Sequence, residues 1–162
     1  MSDNFTFIKI GPAGCINYGH IWDAKGCDKI AQIFICHDNE INSIQFQYVE
    51  NGTMLLSQTF GHNNGCNFDV VKLNYPTEYI TWISGSYSSI NLCSIRFGTN
   101  SGEYGPFGQS DIGKEFKFRL GENQFGGFHG NANSKGLKSI GVYLKPNTTL
   151  DYKVNKNIVK FN

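Results

Sequence analysis

This sequence predicts an all-β fold built from three like units, and three observations carry the prediction. First, one pattern occurs three times: Ile41-Asn42-Ser43-Ile44-Gln45-Phe46, Leu92-Cys93-Ser94-Ile95-Arg96-Phe97 and Leu137-Lys138-Ser139-Ile140-Gly141-Val142, starting 51 and then 45 residues apart. Each copy is an alternating strand pattern centred on Ser-Ile. Each follows a polar, turn-rich stretch, at residues 37–40, 85–89 and 130–136. A repeat at such a period marks a fold assembled from like supersecondary units. Second, no window of 11 or more residues carries a 3.6-residue apolar period. Third, the 13 Phe and 8 Tyr favour strands, while 19 Gly against 4 Pro suits many tight turns.

The elements follow in chain order. Ile30 to Ile35 reads as one strand and Ser43 to Val49 as its partner. Asn51-Gly52 after Tyr48-Val49 is the strongest hairpin signal in the chain, so Thr53 to Gln58 is expected to return alongside. Phe68 to Leu73 is a further strand, ended by Asn74-Tyr75-Pro76, and Tyr79 to Gly85 follows. Phe116-Lys117-Phe118-Arg119-Leu120 alternates apolar and basic residues, which places one face on the core and one in water. Gly105-Pro106-Phe107-Gly108 reads as a structural turn closing the middle unit.

A length of 162 residues with 40% hydrophobic content fits one domain with a full core. No linker is visible, so residues 1–146 are read as a single domain and 147–162 as a polar tail with at most one added strand. The net charge of +1 offers no field to draw nucleic acid or a membrane surface, and no basic run appears. No stretch approaches the ~18 apolar residues of a membrane-spanning helix. Met1-Ser2-Asp3-Asn4-Phe5 lacks the features of a secretory leader, so a cytoplasmic or nucleocytoplasmic protein is expected.

Five cysteines (Cys15, Cys27, Cys36, Cys66, Cys93) are an odd number without a C-x-x-C pair, which fits reduced thiols better than disulfides or zinc. Cys15 and Cys93 are read as small core residues. Glycosylation triplets at Asn4, Asn51 and Asn147 carry no meaning without secretion. His20, His37, His62 and His129 lie in Gly- and Asn-rich stretches without metal or catalytic spacing and are read as exposed loop residues. No cofactor and no metal is expected. Trp22 and Trp82 are assigned to the core and Tyr87 to a more open position.

Several blocks together resemble the jacalin-related lectin family: Gly11-Pro12-Ala13-Gly14 with Trp22-Asp23, Tyr79 to Tyr87, Ser94 to Asn100, Glu103 to Gly108, Phe125 to Gly130, and Ile140 to Leu144. The resemblance spans residues 7 to 146. Within the family, Phe68 to Tyr75, Glu103 to Gly108 and Phe125 to Gly130 are most similar to the plant branch that restricts potyvirus movement. The resemblance implies a β-prism I, with three four-stranded Greek-key sheets about a pseudo-threefold axis. It also implies carbohydrate binding in plant defence, without catalysis. Many family members pair through an N-terminal strand or the front sheet, so the resemblance allows a homodimer.

In mannose-type members the sugar lies between the N-terminal Gly-rich loop and the loop before the last repeat strand, where a G-x-x-x-D motif supplies a carboxylate. A carboxylate suits a sugar because it accepts two adjacent hydroxyls as charge-assisted hydrogen bonds. On this chain the motif falls on Ser134 and Lys138, and Cys15 stands where a second glycine is usual. The ligand-binding residues expected from the mapping are Gly14, Cys15, Ser134, Gly136, Leu137 and Lys138, holding sugar mainly through backbone N–H groups. Lysine has three donors and no acceptor, so losing the charged acceptor would cost about 1.5–3 kcal/mol, roughly 10- to 100-fold in affinity. The equivalent pair is Asp38 and Asn42 in the first repeat and Ser89 and Cys93 in the second. Asp38, Asn39 and Asn42 therefore form the secondary candidate site, because the Asn42 amide both donates and accepts.

Two other readings stay open. One is a prism that has lost sugar affinity and works as a protein-interaction module in antiviral restriction, with protein partners. The other is an enzyme that reuses the vacated pocket, with Lys138 beside Phe128 and His129 as base or Schiff-base nucleophile.

Overall fold

The structure is a computed structural model, and it describes residues 6–65 and 67–146. The polar tail at 147–162, Cys66 and the triplets at Asn4 and Asn147 lie outside the described residues. Every regular element is a strand: β1 (Ile8–Gly14), β2 (His20–Lys25), β3 (Ile30–His37), β4 (Ile41–Glu50), β5 (Thr53–Leu56), β6 (Phe60–Gly61), β7 (Asn67–Lys72), β8 (Ile80–Tyr87), β9 (Leu92–Thr99), β10 (Glu103–Gly108), β11 (Lys114–Arg119), β12 (Phe125–Asn133) and β13 (Gly136–Leu144). No described helix is long and apolar enough to cross a membrane.

The strands form three antiparallel sheets with one common order. These are β1-β13-β12-β2 (sheet A), β5-β4-β3-β7 (sheet B) and β10-β9-β8-β11 (sheet C), with the short β6 also on β4. The three sequence repeats are β4, β9 and β13, and each is the second strand of its sheet. The N-terminal strand closes the last sheet, with Ile8 opposite Leu144 and Gly14 opposite Ser139. At Asn51-Gly52 both residues have positive φ, 52° and 76°, as a type I′ hairpin requires.

The repeats converge on one core because their apolar positions point to the same side of each sheet. Ile41, Leu92 and Leu137 are fully buried, and so are Ile44, Ile95 and Ile140. The next layer is aromatic: Phe46 stacks on Phe128 at 5.0 Å between centroids, and Phe97 meets Phe128 edge-on at 6.0 Å. Phe116 and Phe118 pack against this core while Lys117 and Arg119 of the same strand face water, as the alternation predicts.

Four expectations need correction. Gly105 to Gly108 is not a turn; it lies within the edge strand β10, whose register shifts between Tyr104 and Phe107. The two glycines still have positive φ, 101° and 81°. Trp82 is not in the core. It lies on the outer face of sheet C, where only the absence of a Cβ at Gly98 leaves room for its ring, and the Lys117 ammonium sits 4.3 Å above it. His129 is not an exposed loop residue either: it is a buried member of β12, 1% exposed, with Nε2 3.0 Å from the Ile10 carbonyl. His37 belongs to β3. Its Nε2 donates to Asp69 at 2.7 Å, and its Nδ1 accepts the Gly108 N–H at 3.1 Å, which ties sheet B to sheet C.

Candidate functional site

The loops that precede the repeat strands meet at one end of the prism, and their geometry repeats three times. A glycine of positive φ from the neighbouring edge strand packs onto the carbonyl of the second residue of each repeat: Gly14 on Lys138, Gly61 on Asn42, Gly108 on Cys93. A Cβ on Gly14 would stand 2.5 Å from the Lys138 oxygen, so glycine is required there. The following residue then donates its N–H to that carbonyl: Cys15 to Lys138, His62 to Asn42 and Gln109 to Cys93, each at 2.9 Å. Three related loop pairs result, and they differ in turn length and in the side chains they carry.

The third-repeat pair unites Gly14, Cys15 and Lys138. The Leu137 side chain is core, Gly136 faces the Ile41 carbonyl of the first repeat, and Ser134 is exposed at the tip of the β12–β13 turn. Lys138 is 5% exposed, and its Nζ donates to the Asn91 side-chain oxygen at 2.6 Å. The ammonium is thus directed at the second-repeat loop. His129 faces Ile10 and Asp23 rather than Lys138, and it packs on Tyr143 at 4.8 Å. Burial pushes the imidazole pKa down, partly offset by its bond to the Ile10 carbonyl, and Lys9 lowers it further. Tyr143 donates to Asp23, and burial together with that bond pushes its phenol up to about 12.

The first-repeat pair keeps the chemistry that hydroxyls need. The Asn42 amide donates to the Asp38 carboxylate at 3.2 Å, which fixes both side chains at the loop. Asn39 is exposed beside them. On the paired segment, whose His62 N–H bonds the Asn42 carbonyl, Ser43 donates to the Asn63 side chain at 2.7 Å, and the His62 ring accepts the Asn64 N–H at 3.1 Å. His62, Asn63 and Asn64 are functional candidates that sequence reading missed. The available signal was their place one residue after Gly61, equivalent to Cys15 after Gly14. In the second repeat Ser89 is exposed and Cys93 buried, and neither carries a charge; the neighbouring Ser88 accepts the N–H groups of Ile90 and Asn91.

Comparison with known proteins gives one consistent picture. The profile of the jacalin-like lectin domain matches residues 10–143. Protein RESTRICTED TEV MOVEMENT 1 of Arabidopsis thaliana is 46% identical over 160 residues, covering 88% of this chain and 90% of the relative. Jacalin-related lectin 2 of the same plant is 44% identical over 159 residues, covering 86% of each. Among solved structures, a mannose-binding jacalin-related lectin from Ananas comosus superposes with a TM-score of 0.75 at 28% identity, covering 87% of this chain and 99% of the other.

Proposed function

We propose a function on the premise that the chain belongs to the jacalin-like lectin domain family: it is a carbohydrate-binding lectin of plant-defence type that acts without catalysis, in the cytoplasm or nucleocytoplasm. Its sugar site is the first-repeat loop pair. The observation that carries this reading is the Asn42–Asp38 hydrogen bond, which holds a carboxylate at the loop whose Asn42 carbonyl accepts the His62 N–H. A carboxylate accepts adjacent sugar hydroxyls as charge-assisted hydrogen bonds. The third-repeat pair offers an ammonium turned toward Asn91 and no carboxylate.

A second reading is favoured by one specific observation. Lys138 occupies the family's carboxylate position, and the relative named for restricting virus movement is 46% identical. On that reading the same end of the prism holds a protein partner and sugar is irrelevant.

Titration calorimetry with mannose, glucose, galactose and an oligomannose glycan separates the two. The lectin reading expects binding that Asp38→Asn weakens about 10-fold or more and that Lys138→Met leaves intact. Absence of heat with every sugar, for a protein that still melts cooperatively, sinks the lectin reading and leaves the partner reading.

A further inference from the structure

The outer faces of the three sheets carry equivalent rows of side chains with different chemistry. In the middle row the residues read Gln45, Phe34, Val70 on sheet B; Gly141, His129, Asp23 on sheet A; and Arg96, Ser84, Lys117 on sheet C. On sheet B the row is filled, because Phe34 stacks on Phe68. On sheet A the His129 ring lies over Gly141. On sheet C the central residue is Ser84, a small side chain that is half-buried. The result is a depression of about 470 Å³ running from Pro106 of β10 to β11.

Its walls are charged. Arg96 stands on one side of Ser84 and Lys117 on the other. They are two strands apart, roughly 10 Å at the backbone. Neither is in an ion pair among the described residues, where the pairs are His37–Asp69 and Lys145–Asp28. Lys117 is held over the Trp82 ring, which fixes its direction. The next row is Ser94, Ser86, Glu115, so a carboxylate lines the same depression as the two cations.

We propose that this face of sheet C is a second ligand site, and that its ligand is an acidic saccharide: a sugar ring carrying a carboxylate beside free hydroxyls. The anion sits over Ser84 between the Arg96 guanidinium and the Lys117 ammonium, both donors only. Glu115 needs donors from the ligand, and ring hydroxyls supply them. A plain polyanion has no such donors and meets repulsion from Glu115. A neutral sugar leaves two cations without their acceptor. The depression reaches the second-repeat loop at Ser110 but is lined by no residue of the first-repeat loop pair, so this site and the proposed lectin site can fail separately.

The test uses α-1,4-linked trigalacturonic acid, with maltotriose as the neutral probe and sodium sulfate and sodium polyacrylate as anion-only probes. Backbone amide shifts of the ¹⁵N-labelled full chain are followed by NMR. The expected result is a cluster of saturable shifts at residues 84–86, 94–96 and 115–117 with trigalacturonate. Arg96→Gln and Lys117→Gln are each expected to weaken it about 10-fold or more, while Asp38→Asn leaves it unchanged. Glu115→Gln should weaken trigalacturonate and strengthen sulfate, which separates saccharide recognition from simple charge. Absence of shifts on sheet C, equal binding of maltotriose, or binding of sulfate or polyacrylate at least as tight as that of trigalacturonate would overturn the proposal.

Discussion

The Lys138 ammonium donates to the Asn91 side-chain oxygen at 2.6 Å, and the lysine is 5% exposed. This single bond joins the loop of the third repeat to that of the second. Lys138 is a strut between two units of the prism. A buried ammonium needs an acceptor, and Asn91 meets that need.

The two ends of that bond are not equivalent. Lys138→Met keeps the bulk, removes the charge and leaves a neutral amide near the surface; about 1 kcal/mol is expected, a fall in melting temperature of about 2–4 °C. Asn91→Ala strands a buried cation and is expected to cost more, about 2–3 kcal/mol. Thermal unfolding of both variants checks the order, and a larger fall for Lys138→Met would contradict the strut.

Glu78 is 6% exposed and accepts three hydrogen bonds, from Thr99 at 2.6 Å, Tyr104 at 2.8 Å and the Asn74 N–H at 2.9 Å. Burial alone raises its pKa, but the three donors outweigh burial and hold it below the ordinary 4.5. A group depressed on folding stabilises fully above its unfolded pKa and loses that contribution as pH falls through the folded value. Stability measured by urea unfolding should therefore be steady above about pH 4.5 with respect to Glu78 and should fall below it. In Glu78→Gln that acid slope should flatten, and an unchanged slope would show that other carboxylates set it.

His129 adds a separate step at higher pH. Its pKa is lowered from 6.5 in the fold, by burial first, so the unfolded chain takes up the proton before the native one. Stability is whole above about pH 6.5 and declines as pH falls below it. Replacement by Gln should remove this step and spare the one set by Glu78, as followed by urea midpoints between pH 5 and pH 8.

Two glycine substitutions separate backbone strain from collision. Gly52 has φ of 76° and nothing within 4 Å of a would-be Cβ, so Gly52→Ala should cost about 1 kcal/mol through conformation alone. Gly14 has φ of 117° and the Lys138 oxygen 2.5 Å from that position. Gly14→Ala must also push the Cys15–Lys138 hydrogen bond apart, and a loss of about 3 kcal/mol or more is expected. Equal melting temperatures for the two variants would mean that β1 yields at no cost.

Much of this architecture was legible in the residues themselves. The repeat at Ile41, Leu92 and Leu137 gave three equivalent strands because identical apolar spacing must face one core. Asn51-Gly52 marked its hairpin because few residue pairs accept two positive φ values. Phe116 to Leu120 disclosed its inner and outer faces by alternation. The choice of Gly14, Cys15 and Lys138 in one repeat, and of Asp38 and Asn42 in another, came from the family resemblance rather than from the residues alone.

What tertiary structure alone decided is which outward positions are covered and where long side chains end. Period-2 alternation assigns a residue to a side of a sheet, and it does not say what lies above that side. His129 is buried because Gly141 on the next strand leaves its ring a place to lie. Trp82 rests over Gly98 outside the core for the same reason. Lys138 could have reached into a sugar pocket or into water. Its direction was set by Asn91, 47 residues away in sequence and 2.6 Å away in space. The depression between Arg96 and Lys117 exists only because strands β9, β8 and β11 lie side by side with a serine in the middle. Local sequence fixes which groups are available, and packing between distant strands fixes which of them meet.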